Sequence, residues 1–353
     1  MAVSLPQNAK ISVLGSGAIG TMLGGLIKHA LPSSELVLIA RGDHGAAMAE
    51  SGQAVLDGPW PQKSVRVHAT EDLSAIEGSQ VVLVTVKSQA TGAIVAAAAP
   101  HLGDATVVSV QNGFNDAALL QHVAPEKLVM GITATNVTVP KPGSASLQFV
   151  GTLVVGPNES RSNVDAAALA AETLRHTGFR VFTSQNLRGV RYNKLAINSP
   201  GYAASLSASN FITECVCHGP WRNAVGIPLA DECTRVFEAA CVELERIPKL
   251  PDIRKLRGFF DKLNLPVIGA VMRFGAKQIY NKRPIQFSLH QDLLRGKGTE
   301  VDLTNGEIVR LADEHGQKAP YNQLVIDLTH EIEARGAGKF LTREDVIDRF
   351  RAI

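Results

Sequence analysis

The sequence carries almost no net charge and no long apolar run, and each absence excludes a class of partner. Its 353 residues include 35 Lys and Arg against 33 Asp and Glu, a formal net charge of +2. A balance this even gives no reason to expect binding to nucleic acid or to an anionic membrane. The longest apolar run is 93–99, far shorter than the roughly 20 residues of a membrane-spanning helix. We therefore expect no membrane segment.

Cysteine is also scarce. The four cysteines, Cys215, Cys217, Cys233 and Cys241, form no C-x-x-C pair and are too few for a disulfide framework in a chain of this length. Their spacing matches no metal site, so we expect buried thiols and no bound metal. The first ten residues, MAVSLPQNAK, lack the apolar core of a signal peptide. These features predict a cytoplasmic protein.

Length and apolar pattern indicate two domains. The chain of 353 residues is more than twice a typical domain of about 150, and 45% of its residues are hydrophobic. In the first half, continuous apolar runs alternate with helical stretches, as in a parallel, doubly wound sheet whose strands are buried on both faces. We predict strands at 11–14, 36–40, 81–86, 106–110 and within 127–139.

The remaining elements follow from the same patterns. In the first half we predict helices over 91–102 and 163–176, a hairpin or edge pair of strands over 144–157, and a last strand over 179–183. After about residue 187 helical patterns dominate, so we place the domain boundary within 185–190. The helices predicted there span 190–197, 229–246, 253–263, 300–315 and 322–334. The stretch 246–284 is rich in Lys, Arg and Pro and is interpreted as a loop-helix insertion.

A glycine-rich motif, G-x-G-x-x-G, directly follows the first predicted strand and opens a helical stretch. Its residues are Gly15, Ser16, Gly17, Ala18, Ile19 and Gly20. In dinucleotide-binding units the first glycine permits a tight turn, the second lets the backbone approach a pyrophosphate, and the third allows helix and strand to pack closely. The helix N-terminus adds free N–H groups and partial positive charge. We predict a Rossmann-type dinucleotide-binding domain; a glycine turn that only packs is the alternative.

Three further residues follow predicted strands. Arg41 stands after the second strand, where an NAD-preferring site usually carries Asp or Glu. Its guanidinium suits a 2′-phosphate, and a charged hydrogen bond of about 1.5–3 kcal/mol favours NADP(H) roughly 10–100-fold. Lys87 supplies a second cation, and the amide of Asn112 suits both cofactor and substrate. A solvated charge at Arg41 and a simple turn at Asn112 are the alternatives; Asp43 is interpreted as structural.

The second half contains two groups of candidate catalytic residues. Lys194 and Asn198 lie at i and i+4 of a predicted helix and so share one face. A lysine directed into a cleft is a candidate proton donor, because desolvation lowers its pKa towards the working range; an ordinary surface lysine is the alternative. Near the start of a later helix stands Glu300, which is equally well interpreted as a first-turn acid favoured by the helix dipole.

The ordered motifs resemble those of the ketopantoate reductase (2-dehydropantoate 2-reductase) family. They are GSGAIG, VKSQ, QNG, KLAIN and SLHQDLLRGKGTEVDLTNG, and they extend from Ile11 to about Asn322. The resemblance implies an N-terminal NADP-binding Rossmann-like domain, 1–187, and a mainly α-helical substrate and catalytic domain, 188–353. It also implies NADPH-dependent reduction of 2-dehydropantoate, a small 2-oxo acid, to D-pantoate in pantothenate and coenzyme A biosynthesis. It is compatible with a homodimer through the helical half.

The same resemblance assigns roles to single residues. Lys194 becomes the proton donor to the substrate carbonyl, and Glu300 binds near the nicotinamide ribose and orients that lysine. Asn112 touches the nicotinamide region and the substrate, and Arg41 and Lys87 hold the 2′-phosphate. The substrate contacts are then Asn198, Asn210 and Ser288, with Ser288 at the carboxylate end. General acid help of this kind is typically worth about 10²–10⁴-fold in rate.

The chain departs from the family pattern in four places. Tyr202 stands where a second asparagine is usual, which makes it a candidate substrate contact that changes substrate preference. Pro200 and Gly201 precede it and predict a break or kink in the helix. The insertion at 246–284 could act as a lid, enlarge an oligomer contact or reshape the pocket. Val137 replaces a residue that is usually small.

Two other functions stay open. Tyr202 and the insertion favour a D-2-hydroxyacid dehydrogenase that acts on another, bulkier 2-oxo acid. A non-catalytic NADP-binding regulatory protein is disfavoured, because a sensor needs neither Lys194 nor Glu300.

Overall fold

The computed structural model describes residues 5–246, 248, 252–280 and 287–353. The chain divides into two compact units, Met1–Leu187 and Arg188–Ile353. The first unit combines strands with helices. The described part of the second unit is built from helices.

Strands and helices alternate through most of the first unit. Its elements are β1 (Lys10–Leu14), α1 (Ala18–Ala30), β2 (Glu35–Ile39), α2 (Gly42–Ser51), β3 (Gln53–Gly58), β4 (Trp60–Arg66), β5 (His68–Thr70), β6 (Val81–Val84), α3 (Thr91–Leu102), β7 (Thr106–Ser109), α4 (Asp116–Leu120), β8 (Leu128–Thr133), β9 (Asn136–Thr138), β10 (Ser144–Phe149), β11 (Thr152–Gly156), α5 (Val164–Arg175) and β12 (Arg180–Thr183). All five predicted early strands and the helices at α3 and α5 are confirmed, as is the last strand β12.

Eight of these strands form one sheet in the order β12-β11-β8-β7-β6-β1-β2-β5. Neighbours pair in parallel except β8 and β11, which are antiparallel. Successive strand residues enter different cores: Val81 and Leu83 pack with α1 and α5, whereas Val82 and Val84 pack with α3. Helices on both faces make the sheet doubly wound, as predicted, and its central strands β6 and β7 are buried along their whole length, which explains their largely apolar sequences.

A second sheet, which the sequence patterns did not reveal, has the order β4-β3-β10-β9. Helix α1 contacts strands of both sheets. Two small residues make this possible: a Cβ at Gly24 would lie 2.9 Å from Val13 of the large sheet, and a Cβ at Gly25 would lie 2.8 Å from Leu56 of the small one. The helix that opens with the glycine motif is therefore packed between two sheets. Val137 is a buried residue of β9.

The predicted hairpin or edge pair over 144–157 is wrong. Both strands exist, but β10 pairs with β3 and β9 in the small sheet, whereas β11 pairs with β8 and β12 in the large one. At the link a Cβ on Gly151 would lie 2.2 Å from the carbonyl group of Ala134, so glycine allows the close passage. The alternation of apolar residues predicted strands, but it contains no information on which sheet each strand joins.

Helices fill the described part of the second unit. They are α6 (Leu187–Ser205), which begins at the last residue of the first unit, α7 (Gly219–Trp221), α8 (Ile227–Ala239), α9 (Ile253–Asn264), α10 (Pro266–Tyr280), α11 (Ser288–Arg295), α12 (Val301–Glu314), α13 (Pro320–Arg335) and α14 (Arg343–Arg351). Two π-helical segments, Ile212–Cys217 and Arg222–Gly226, lie between α6 and α8. The predicted helix over 229–246 is too long, because α8 ends at Ala239.

Of the break or kink predicted at Pro200 and Gly201, the break is wrong and the kink stays a prediction. Helix α6 runs through both residues and is 19 residues long. A proline in a helix interior costs about 3 kcal/mol, but most of α6 is buried, so its packing offsets this cost. Glycine at 201 also has a packing reason, because a Cβ there would lie 2.2 Å from the ring of Phe287.

The described part of the predicted loop-helix insertion over 246–284 contains two helices, α9 and α10. Helix α9 packs against both α8 and α10. Residues 247, 249–251 and 281–284 of this stretch lie outside the described residues. Its predicted alternatives, a lid, an oligomer contact or a reshaped pocket, stay predictions.

Candidate active site

The glycine motif forms the turn between β1 and α1. Gly15 has φ +91°, and a Cβ there would lie 2.2 Å from Val86, so only glycine fits. Its N–H and that of Ser16 donate to the carbonyl of Ile39 at 3.1 and 2.8 Å. A Cβ at Gly20 would lie 2.4 Å from the hydroxyl oxygen of Thr85. The first and third glycines therefore have the turn and packing roles that the motif predicts.

The second glycine differs from the other two. Gly17 is exposed and is the N-cap of α1, and a Cβ there would meet no protein atom within 4 Å. The first turn of α1, Ala18 to Thr21, carries no charged side chain. The N–H groups of a first helical turn lack intrahelical partners and carry partial positive charge. This turn can thus accept an anion such as a pyrophosphate against the backbone.

Four adjacent strands of the large sheet are each followed, within three residues, by a predicted site residue. Gly15 follows β1, Arg41 follows β2, Lys87 follows β6 and Asn112 follows β7. These strands are parallel neighbours, so their carboxyl ends share one edge of the sheet, where ligands bind in such folds. Arg41 is the exposed N-cap of α2, and Lys87 is exposed at the start of a 3₁₀ turn. Their proposed contacts with a 2′-phosphate stay predictions.

Asn112 occupies a well-braced turn. Its carbonyl accepts from the hydroxyl of Ser88 at 3.2 Å and from the amide of Asn115 at 2.9 Å. Gly113 follows with φ +70°. The preceding residue, Gln111, donates to the carbonyl of Val86 at 2.8 Å and so ties the end of β7 to that of β6. The turn role of Asn112 is present, and a binding role for its side chain stays a prediction.

His44 is a residue of this region that the sequence patterns missed. Its Nδ1 accepts from the N–H of Gly143 at 3.1 Å, which leaves the proton on Nε2, 3.0 Å from the hydroxyl of Thr21. That hydroxyl donates to the carbonyl of Ser16 at 3.1 Å. Burial lowers the pKa of His44, so the ring is neutral at neutral pH. A lone histidine in the first turn of α2 gives no sequence signal for such a contact.

Lys194 lies on α6 and is buried, with 8% of its surface exposed. Burial lowers its pKa to about 8; the carboxylate of Glu300 raises it and the guanidinium of Arg191 lowers it further. The surface-lysine alternative is therefore wrong. A lysine with a pKa near 8 is mostly protonated at neutral pH and gives up its proton readily, as a general acid requires. Glu300 is half-buried and is the N-cap of α12.

Two residues near Lys194 on α6 fix the orientation of the helix face that carries this lysine. The hydroxyl of Tyr192 donates to Glu307 at 2.6 Å, and burial, assisted by that carboxylate, raises its pKa. The buried amide oxygen of Asn193 accepts from the N–H of Ile253 at 3.0 Å, at the first residue of α9. Bonds to two other helices thus hold α6 against rotation and keep Lys194 in place.

Tyr202 joins two other predicted substrate residues. Its hydroxyl is hydrogen-bonded to the side chains of Asn198 and Ser288. The residue is only 3% exposed, and its ring meets that of Phe287 edge-on at 5.7 Å between centroids. Burial raises the pKa of Tyr202, and the negative charge of Glu300 raises it further. The second unit therefore brings Lys194 and these residues into one cluster.

The side chain of Asn210 makes a hydrogen bond to the backbone a few residues further along the chain. Its amide oxygen accepts from the N–H of Thr213 at 3.0 Å and so caps the π-helical segment Ile212–Cys217. Its substrate contact stays a prediction. Over the described ranges, no group of three or more His, Cys, Asp or Glu side chains is placed to hold a metal ion. Among those same residues, none of the helices is long and apolar enough to cross a membrane.

Two family models match the chain. "Ketopantoate reductase PanE/ApbA" matches residues 11–160, and "Ketopantoate reductase PanE/ApbA C terminal" matches residues 186–333. Two curated relatives carry the name 2-dehydropantoate 2-reductase. The one from Pyrococcus horikoshii is 26% identical over 93% of this chain and 99% of its own length. The one from Halobacterium salinarum is 23% identical over 93% of this chain and 100% of its own.

Solved structures show the same fold. The PanE/ApbA family ketopantoate reductase from Ralstonia eutropha JMP134 is 29% identical, covers 92% of this chain and 99% of its own, and has a TM-score of 0.72. A D-mandelate dehydrogenase with NADH and anilino(oxo)acetate has a TM-score of 0.73 at 18% identity, with coverages of 92% and 99%. The second likeness concerns the fold alone.

Proposed function

The chain belongs to the ketopantoate reductase family of oxidoreductases acting on CH–OH groups, and from this premise we propose that it reduces a small 2-oxo acid with NADPH. The first candidate substrate is 2-dehydropantoate, the acid in the names of the curated relatives. Its reduction gives D-pantoate for pantothenate synthesis. The observation that carries the proposal is the buried Lys194, with a pKa of about 8, beside Glu300.

The first unit fits the nicotinamide dinucleotide. Gly17 leaves the backbone open at the N-terminus of α1, which suits the pyrophosphate. Arg41 and Lys87 stand at the ends of strands on either side of β1 and would hold a 2′-phosphate, which makes NADPH the preferred form. When bound, NADPH supplies the hydride that reduces C2 of the substrate.

The second unit supplies the proton. As C2 is reduced, negative charge grows on the carbonyl oxygen, and the protonated Nζ of Lys194 stabilises that charge and then donates its proton to the oxygen. Glu300 keeps the lysine protonated to higher pH than burial alone would allow. Asn198, Tyr202 and Ser288 form the polar wall for the rest of the substrate, and Asn210 is a further candidate contact.

A bulkier 2-oxo acid is the second candidate substrate. The buried Tyr202 in place of a small amide favours it, because the wall next to Asn198 is then partly aromatic. A non-catalytic NADP-binding protein is disfavoured by the coupled pair of Lys194 and Glu300, which binding alone does not need.

We also propose that the protein is a homodimer. Among the side chains of α10 whose exposure the structure describes, four large apolar ones are exposed and form the α10 stripe: Val267 (76%), Ile268 (53%), Val271 (69%) and Phe274 (67%). Exposed apolar patches of roughly a few hundred Å² mark interaction sites. A twofold contact would place the stripe against its own copy and bury apolar surface on both sides. One side of a standard interface buries about 800 Å², so neighbouring residues must contribute too.

The function is tested by following NADPH oxidation at 340 nm with 2-dehydropantoate and with a panel of bulkier 2-oxo acids. We expect turnover by the native protein, and a kcat/KM lower by about 10²–10⁴-fold in Lys194→Ala. Lys262→Ala, which removes an exposed lysine of α9, is the control and should retain activity. Turnover of no acid, with NADPH still bound, would favour the non-catalytic alternative.

A further inference from the structure

Tyr202 occupies a special position on α6. Lys194, Asn198 and Tyr202 are spaced by four residues, so they form one stripe along a helix face. At a rise of 1.5 Å per residue, Tyr202 lies two turns, roughly 12 Å, beyond Lys194. Side chains on a helix slant towards its N-terminus, so the long tyrosine side chain covers the turn that carries Asn198. An asparagine at 202 would be too short to do so.

The tyrosine side chain is fixed as well as long. Its ring packs edge-on against Phe287. The same phenylalanine ring occupies the space that a Cβ at Gly201 would need. Its hydroxyl bonds with both Asn198 and Ser288. A side chain that is 3% exposed, packed against an aromatic ring and hydrogen-bonded at its tip does not swing aside without losing these contacts.

We propose that Tyr202 is a specificity-determining residue, which engages the polar groups of Asn198 and Ser288 and so favours 2-oxo acids whose side chain ends without a hydroxyl group. This inference rests on the proposed function and names the substrate class within it. A substrate hydroxyl gains little at this wall, because it must replace bonds that the protein already makes. A substrate that ends in a methyl group leaves those bonds intact.

The strength of discrimination depends on whether a site requires a hydrogen bond from its substrate. A wall built to bond a substrate hydroxyl rejects the analogue without it by about 10⁴–10⁵-fold, because its own polar groups are left unpaired. In this chain the hydroxyl of Tyr202 takes the place of the substrate hydroxyl, so the polar groups of Asn198 and Ser288 keep a partner when the substrate has no hydroxyl group. We expect the native protein to discriminate between hydroxylated and non-hydroxylated acids by no more than roughly 10–200-fold, the range of ordinary apolar pockets.

The test uses two substrates that differ only in the hydroxyl group: 2-dehydropantoate and 3,3-dimethyl-2-oxobutanoate. The ratio of their kcat/KM values, hydroxylated over non-hydroxylated, is compared in the native protein and in Tyr202→Phe. The phenylalanine keeps the ring and frees Asn198 and Ser288, so the ratio should rise about tenfold or more. Tyr192→Phe, which removes another buried hydroxyl of α6, is the matched control and should leave the ratio unchanged.

A ratio in Tyr202→Phe within about threefold of the native ratio would overturn the proposal, as would an equal rise in Tyr192→Phe. If no 2-oxo acid is turned over, the proposed function fails, and the same ratio is then taken from dissociation constants measured by calorimetry on the NADP⁺-loaded protein. There too, a tenfold rise supports the role of Tyr202, whereas an unchanged ratio or no binding of either acid overturns it.

Discussion

Lys194 and Glu300 are coupled through their charges. Burial lowers the pKa of Lys194 to about 8, and the carboxylate of Glu300 opposes this shift. Without that carboxylate the lysine would lose its proton at lower pH. The pair therefore sets the upper limit of the pH range in which the proposed proton donor is charged.

This coupling predicts the pH dependence of reduction. The protonated lysine is the active form, so kcat/KM should be level below about pH 8 and fall by about tenfold per pH unit above it. Glu300→Gln removes the charge that raises the pKa of Lys194, so the fall should begin at lower pH. Asp302→Asn, which removes an exposed acid two residues along, should leave the profile in place. A profile unchanged in Glu300→Gln would contradict the coupling.

The choice of cofactor should depend on Arg41. Arg41→Ala removes the guanidinium at the end of β2, so we expect the dissociation constant of NADPH to rise by about 10–100-fold. The constant for NADH, which lacks the 2′-phosphate, should change little. Arg66→Ala removes another exposed arginine, from β4, and serves as the control. If fluorescence titration shows equal rises in the dissociation constants of NADPH and NADH, Arg41 does not bind the 2′-phosphate.

A substitution at Gly17 should weaken cofactor binding without weakening the fold. Serine is a good N-cap, and its Cβ would meet no protein atom, so Gly17→Ser should keep or raise the Tm. The same Cβ would lie where the backbone has to approach the pyrophosphate, so NADPH affinity should fall by about tenfold or more. Thermal unfolding and titration on the same samples test both statements. Full NADPH affinity in this variant would show that the pyrophosphate does not bind at the N-terminus of α1.

Self-association should depend on the α10 stripe. Val271→Lys places a charge in the middle of this apolar surface, so a dimer should weaken by at least about tenfold and shift towards monomer in light-scattering measurements. Val164→Lys changes an apolar residue of α5 that is 44% exposed and should leave the mass unchanged. A native protein that is monomeric at high concentration would refute the dimer, and so would a dimer that survives Val271→Lys.

The sequence predicted the parts of the molecule that depend on local pattern. Strands buried on both faces are continuous apolar runs, and the glycine motif has a fixed spacing, so β1, β6 and the turn at Gly15 were predictable. The small sheet was not, because β3 and β4 are mixed in polarity and partly exposed. Its pairing with β10 also joins segments far apart in the chain.

The site was predictable in its residues but not in its contacts. Spacing places Lys194 and Asn198 on one helix face, but it says nothing about α11, the helix that carries Ser288. The contact of Tyr202 with that residue depends on α6 continuing through Pro200, whereas local propensity favours a break. Tertiary burial overrides the local preference at this position.

The enclosure of α1 between two sheets has a consequence for ionic strength. Dissolved salt screens the charge of an exposed side chain such as Arg41 over about 10 Å at 0.1 M. The partial charges at the start of α1 are backbone N–H groups at the exposed end of a helix whose body is buried between two sheets, so their direction is fixed and they meet a bound anion at hydrogen-bond range. Rising salt should therefore erode the preference for the phosphorylated dinucleotide first, while the anchoring of the pyrophosphate persists.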